Sequence, residues 1–78
     1  MNIGDRFFTI AYTHNTRVIE VEVIEVNFIE NIQYIRFRNT SRLLDIWFKS
    51  YDFILPWKFD TWAEAEMELE KHKENNLP

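Results

Sequence analysis

The chain has 78 residues, of which 46% are apolar and 17% aromatic, and it carries a net charge of −4 with no cysteine. This length and composition predict one folded domain, residues 1–78, rather than a disordered chain. The lack of cysteine excludes disulfides, thiolate nucleophiles and zinc sites with cysteine ligands.

The first part of the chain predicts two strands. Residues 3–12 are rich in β-forming side chains and start with a turn signal, Gly4-Asp5. Residues 17–28 alternate apolar and polar side chains, but the alternation slips by one position at Val23-Ile24. A β-bulge at this point would absorb the extra residue and keep every glutamate of the strand on one face.

A turn at Glu30-Asn31 predicts a hairpin with a third strand over residues 32–38. If the hairpin closes there and the bulge is present, acidic side chains of the second strand lie opposite basic side chains of the third. The expected cross-strand pairs are Glu25 with Arg36, Glu22 with Arg38 and Ile24 with Phe37.

Residues 43–50 fit either a strand or a helix, and their Ile, Trp and Phe content favours a strand. The following residues, 50–59, contain Pro56 and show no regular period, so we expect an irregular segment in which Trp57 and Phe59 are extended.

Residues 61–75 predict a helix that begins with a capping box formed by Thr61 and Glu64. Its apolar stripe consists of Trp62, Ala65, Leu69 and His72. The expected fold class is therefore α+β. An antiparallel sheet of three to five strands, all within residues 3–59, is either open or curled like an SH3 barrel, and one C-terminal helix packs on it.

Two short motifs carry a resemblance to a known group of proteins. The chain opens with Ile3-Gly4-Asp5, and residues 59–65 combine a phenylalanine, a threonine-capped turn and a Glu-Ala helix start. This arrangement resembles small accessory proteins of bacteriophages and mobile elements that have SH3-like barrels. The resemblance implies an accessory or inhibitory role through binding to a host protein, and it implies no particular functional residues.

No catalytic or metal-binding pattern is present. His14 and His72 lack the spacing of metal ligands, and the chain has one glycine and hence no glycine-rich phosphate loop. We therefore expect no enzyme activity, no cofactor and no small-molecule substrate. The N-terminus has no apolar region typical of a signal peptide, and no apolar run approaches the ~20 residues that span a membrane, so we expect a cytoplasmic protein.

A nucleic-acid interface is one alternative. Arg36, Arg38 and Arg42 lie among aromatic residues, a combination that can bind single-stranded nucleic acid. Against this, the excess of negative charge lies in residues 60–78, which contain six acidic residues and only two lysines. Nucleic-acid binders usually have the opposite charge, so we expect no such partner.

Protein binding is the favoured function. Seven of the thirteen aromatic residues fall within residues 47–62. We expect most of them in the core and one or two in an interface with a partner or with a second copy of the chain. The candidate contact residues are Tyr51, Phe53 and Trp57 in the apolar segment, and Met67, Glu70 and Glu74 on the helix.

Overall fold

The computed structural model describes residues 1–12 and 15–75, with side chains except those of residues 72–75. These residues form a four-stranded antiparallel sheet in the order β1-β2-β3-β4. The elements are β1 (Arg6–Ala11), β2 (Arg17–Ile29), β3 (Ile32–Asn39), β4 (Ile46–Ser50), α1 (Tyr51–Ile54), a 3₁₀ turn (Leu55–Trp57) and α2 (Trp62–Asn75). The predicted α+β class is confirmed. The sheet is open and is not curled into a barrel.

Buried side chains lie on both faces of the sheet, because successive residues of a strand point to opposite sides. On one face, which we call the α1 face, Phe7, Ala11, Ile19, Val21, Val23, Ile35 and Phe37 form a cluster with Ile54 of α1. On the other, which we call the α2 face, Ile10 and Val18 pack against Ala65 and Leu69 of α2. Each face therefore has its own helical cover.

The hairpin between β2 and β3 closes at Glu30-Asn31, as predicted. Both residues have positive φ, 51° and 67°, which is the conformation of a type I′ turn. The predicted bulge is confirmed, because the pairing register shifts between Val23 and Glu25. One detail was wrong: Val23 pairs with Phe37, and Ile24 is the extra residue of the bulge.

The bulge brings the predicted charge pairs together on the α2 face. Glu25 Oε1 lies 3.3 Å from Arg36 Nε, and Glu22 Oε1 lies 3.7 Å from Arg38 Nη2. Glu22 also lies 3.5 Å from Arg6 on β1, so charged side chains connect three strands. These contacts match opposite charges across the strands and thereby favour one register.

A double-mutant cycle on Glu25 and Arg36 should give a small coupling energy, about 0–1 kcal/mol, because both side chains are partly in water. Alanine is introduced at each position and at both, and the free energy of unfolding is measured by denaturant titration. Glu25 with Arg17, the first residue of β2 and eight positions away along the strand, serves as the control for separated charges and should show no coupling. A coupling well above 1 kcal/mol would mean that the pair stabilises the fold and does not merely set the register.

The segment after β3 was predicted in part. The strand interpretation of residues 43–50 is confirmed over Ile46–Ser50. The expectation of an irregular segment at 50–59 was wrong, since α1 and the 3₁₀ turn occupy most of it. Ser50 caps α1, with its Oγ accepting a hydrogen bond from the Phe53 N–H at 3.3 Å. Trp57 lies in the 3₁₀ turn and is not extended.

Residues 51–61 cross the α1 face, pass the outer edge of β1 and lead to α2 on the other side. At that edge Phe8 and Phe59 exchange two backbone hydrogen bonds, each 2.9 Å long, so Phe59 is extended as predicted. This connection is what allows one short chain to cover both faces of its sheet.

α2 begins at Trp62, and Thr61 Oγ1 accepts a hydrogen bond from the Glu64 N–H at 3.2 Å, as the capping box predicts. Ala65 and Leu69 are buried against the sheet. Trp62 touches the Phe8 ring edge-on at 6.0 Å but stays half exposed, so it contributes less to packing than predicted. The end of the predicted stripe, His72, lies outside the described side chains.

Candidate functional site

An open apolar groove of about 380 Å³ lies on the α1 face. Its floor consists of core residues such as Ala11, Ile19 and Phe37, and α1 and the 3₁₀ turn form one wall. Four aromatic side chains surround it, of which Tyr12 and Phe53 are exposed and Trp47 and Trp57 are half buried. The groove exists because a helix as short as α1 cannot cover the whole face.

Ring contacts hold the groove's aromatic side chains in place. Tyr12 meets Trp57 edge-to-face with 5.9 Å between ring centroids, and Trp47 stacks on the buried Phe37 at 5.6 Å. Phe53 has 58% of its surface exposed, and its ring lies 5.0 Å from the ammonium nitrogen of Lys49. The groove therefore presents ordered apolar surface to solvent.

Lys49 is the one charged residue among the described residues that line the groove. Its contact with Phe53 is a cation–π interaction, and no carboxylate of the described side chains lies within ion-pair distance of it. At the other wall, burial, with a smaller contribution from the Glu68 carboxylate, raises the pKa of the Tyr12 phenol. The charge among the described lining residues is therefore the ammonium group of Lys49.

The predicted contact residues belong to two separate surfaces. Phe53 and Trp57 line the groove, whereas Tyr51 packs against the α1-face cluster and does not line it. Met67 and Glu70 are exposed on α2, on the opposite side of the sheet. The side chain of Glu74 lies outside the described part of the structure.

The aromatic residues of 47–62 are less buried than expected. None of the seven is fully buried: Phe48, Phe53 and Trp62 are exposed, and the other four are half buried.

The sequence did not identify Tyr12, Trp47 and Lys49 as groove residues. The alternation of β4 does place Trp47 and Lys49 on one face, but only the position of α1 shows that this face is left open.

The arginines considered for nucleic-acid binding all have acidic neighbours. Arg36 and Arg38 contact Glu25 and Glu22, and Arg42 lies 3.9 Å from Asp45. Arg36 also lies over the ring of Phe48, which stacks on Tyr34. Arg36, Arg38, Tyr34 and Phe48 thus lie together on the α2 face, but carboxylates neutralise much of the charge of the two arginines.

Within the described residues, no three histidine or acidic side chains are grouped so that they could bind a metal ion. His14 lies outside the described residues. Neither helix in the described part of the chain has the length and apolar character needed to cross a membrane.

Comparison of the chain with protein-family models, with curated proteins and with solved structures finds no match. The resemblance to small phage accessory proteins therefore stays a prediction from the sequence.

Proposed function

We propose that the chain is a non-enzymatic protein-binding module whose groove binds a short apolar segment of a partner protein. The observation that carries this proposal is the set of aromatic side chains held around an open apolar groove. Water-exposed aromatic clusters of this kind are typical of interfaces, because covering them gains hydrophobic free energy.

The charge of the groove narrows the chemistry of the partner. Lys49 lies at the wall formed by Phe53. A partner segment that places a carboxylate beside its apolar side chains would pair with this ammonium group while filling the groove. The volume of about 380 Å³ is at the low end for binding pockets, so it suits a few side chains.

The groove walls are fixed before binding. Trp57 follows Pro56 within the 3₁₀ turn, and Pro56 restricts the backbone there. Ser50 caps the other end of the same segment. A wall that is already ordered loses little conformational entropy when a ligand binds, which favours affinity.

The kind of partner and its location are suggested by the sequence. The resemblance to phage-type accessory proteins suggests a host protein as the partner and inhibition or assistance as the effect. The lack of cysteine suits action in the cytoplasm.

A random-peptide display library tests the proposal. Enriched peptides should combine an aromatic or large aliphatic residue with Asp or Glu, and changing that acid to its amide should weaken binding. Phe53→Ala should weaken binding about 30-fold or more, as loss of an aromatic residue that carries much of the binding energy does. The matched control is Phe28→Ala, because Phe28 is 71% exposed at the far hairpin and should have no effect.

Phe53 is a better test residue than Trp57, which also packs against the α2-face cluster and so affects the fold. Chemical-shift changes of bound peptides should map to the groove. Shifts that map around Met67 would contradict the groove and favour α2. Tight, steeply salt-dependent binding of a short single-stranded oligonucleotide would favour the arginine patch instead.

A further inference from the structure

The two edges of the sheet differ. The middle of the outer edge of β1 is covered by Phe59, which exchanges two hydrogen bonds with Phe8. No segment of the described residues pairs with the outer edge of β4. An open edge strand is a template for another strand, and proteins usually protect it with proline, a bulge or several charges. β4 has no proline and no bulge, and Lys49 is its one charge.

The hydrogen-bond pattern shows which groups of β4 are open. The Asn39 N–H donates to the Asp45 carbonyl at 3.0 Å, so odd-numbered residues of this strand bond to β3. In an antiparallel pair the alternate residues point their backbone groups away from the partner. Ile46 and Phe48 therefore direct their N–H and C=O groups outward, where another strand can meet them. Ser50 is the N-cap of α1, and the carbonyl of an N-cap residue accepts the first bond of the helix.

The side chains beside this edge are apolar. Leu44 is 95% exposed, and Ile46 and Phe48 are also exposed. Ile46 and Phe48 lie on the α2 face, and Leu44 lies in the turn just before β4; α2 packs over β1 and β2 and leaves this side of the sheet uncovered. Hydrogen-bonding groups and apolar side chains thus lie open along the same strand.

We propose that this edge binds the same edge of a second copy of the chain. The two β4 strands run antiparallel about a two-fold axis and join four strands from each copy into one continuous sheet. A contact of this kind uses one patch on both copies, as two-fold dimers do. The inference does not rest on the function proposed for the groove.

Charge complementarity selects the register. Hydrogen bonding requires that even-numbered residues meet even-numbered residues. When Trp47 lies opposite Trp47 of the second copy, Asp45 lies opposite Lys49 of the second copy, and symmetry provides this pair twice. On the other face, Ile46 meets Phe48 of the second copy. If the two-fold axis passed through Phe48 instead, Lys49 would lie opposite Trp47 of the second copy. Asp45 would then have no basic residue of the second copy opposite it.

Charge reversal tests this register. Light scattering should show a mass that rises with concentration from 9.6 kDa toward twice that value. Asp45→Lys and Lys49→Asp should each weaken dimerisation about tenfold or more, because each places like charges opposite one another twice. Glu30→Lys, an exposed reversal at the far hairpin turn, should leave dimerisation unchanged.

A single charge reversal could also weaken dimerisation by disturbing its own chain, for example by removing the Arg42–Asp45 contact. Variants that restore opposite charges across the dimer interface distinguish the two causes. The double variant Asp45→Lys with Lys49→Asp should dimerise again. An equimolar mixture of the two single variants should form a heterodimer, since each copy then offers the charge that the other lacks. Failure of both rescues would overturn the proposed register.

A backbone change tests the hydrogen bonds themselves. Ile46→Pro removes an outward N–H at the first residue of β4, a position where an edge strand tolerates proline. It should abolish dimerisation while the circular dichroism spectrum stays that of the folded chain. A chain that is monomeric at the concentrations used for NMR, or a dimer that none of these variants affects, would overturn the proposal.

Discussion

Phe7→Ala is expected to lower the free energy of unfolding by about 3–5 kcal/mol. Phe7 is 1% exposed at the centre of the α1-face cluster, and its ring lies 5.6 Å from that of Phe37. Truncation removes buried apolar surface and leaves a cavity that the strands around it cannot close. Small domains have a total stability of about 5–15 kcal/mol at most, so the loss is a large share of it.

Urea titration followed by tryptophan fluorescence measures this change, and Phe28→Ala is the matched control. Phe28 is the same residue type in the same sheet but is mostly exposed, so its replacement should change the free energy of unfolding by less than about 0.5 kcal/mol. Equal losses in the two variants would show that the hairpin end of the sheet is buried, against the structure described above.

Leu69→Ala should lower the free energy of unfolding by about 2–5 kcal/mol, because Leu69 lies on the sheet-facing side of α2 and is only 3% exposed. It packs with Ala65 against Ile10 and Val18, and this small cluster is what joins α2 to the sheet. Once the contact is weakened, α2 has little other apolar surface with which to stay in place.

The control on the same helix is Met67→Ala. Met67 is 65% exposed, so this variant should unfold at nearly the wild-type urea concentration. Amide hydrogen exchange adds a second measurement: Leu69→Ala should reduce protection in α2 more than in β2 and β3. An unchanged midpoint for Leu69→Ala would mean that α2 packs through another face.

Much of the sheet could be predicted because two signals in the sequence define which residues of β2 and β3 lie opposite each other. The slip in alternation at Val23-Ile24 and the turn at Glu30-Asn31 are independent signals, and both place Glu25 opposite Arg36. A strand that is polar on one side tolerates no other alignment, since a shift of one residue would bury its charges. Local patterns therefore determined these strands and the bulge.

The segment from β4 to α2 could not be predicted in the same way. α1 has four residues, too few to show a helical period, and Ser50 was not recognised as its cap. The groove depends on where this short helix lies against residues far away in the chain, such as Tyr12 and Trp47. Local sequence patterns carry no information about such contacts, so the cluster of aromatic residues could be noticed but its shape could not be derived.

The hydrogen bonds between Phe8 and Phe59 have a consequence for fibril growth. A sheet with two free edges can add copies at both ends without limit, which is how cross-β fibrils extend. Here Phe59 pairs with Phe8 in the middle of β1, so a copy adding at that edge would first have to displace Phe59. If two β4 strands pair as proposed, each copy has its open edge covered, and further growth would require Phe59 to leave β1.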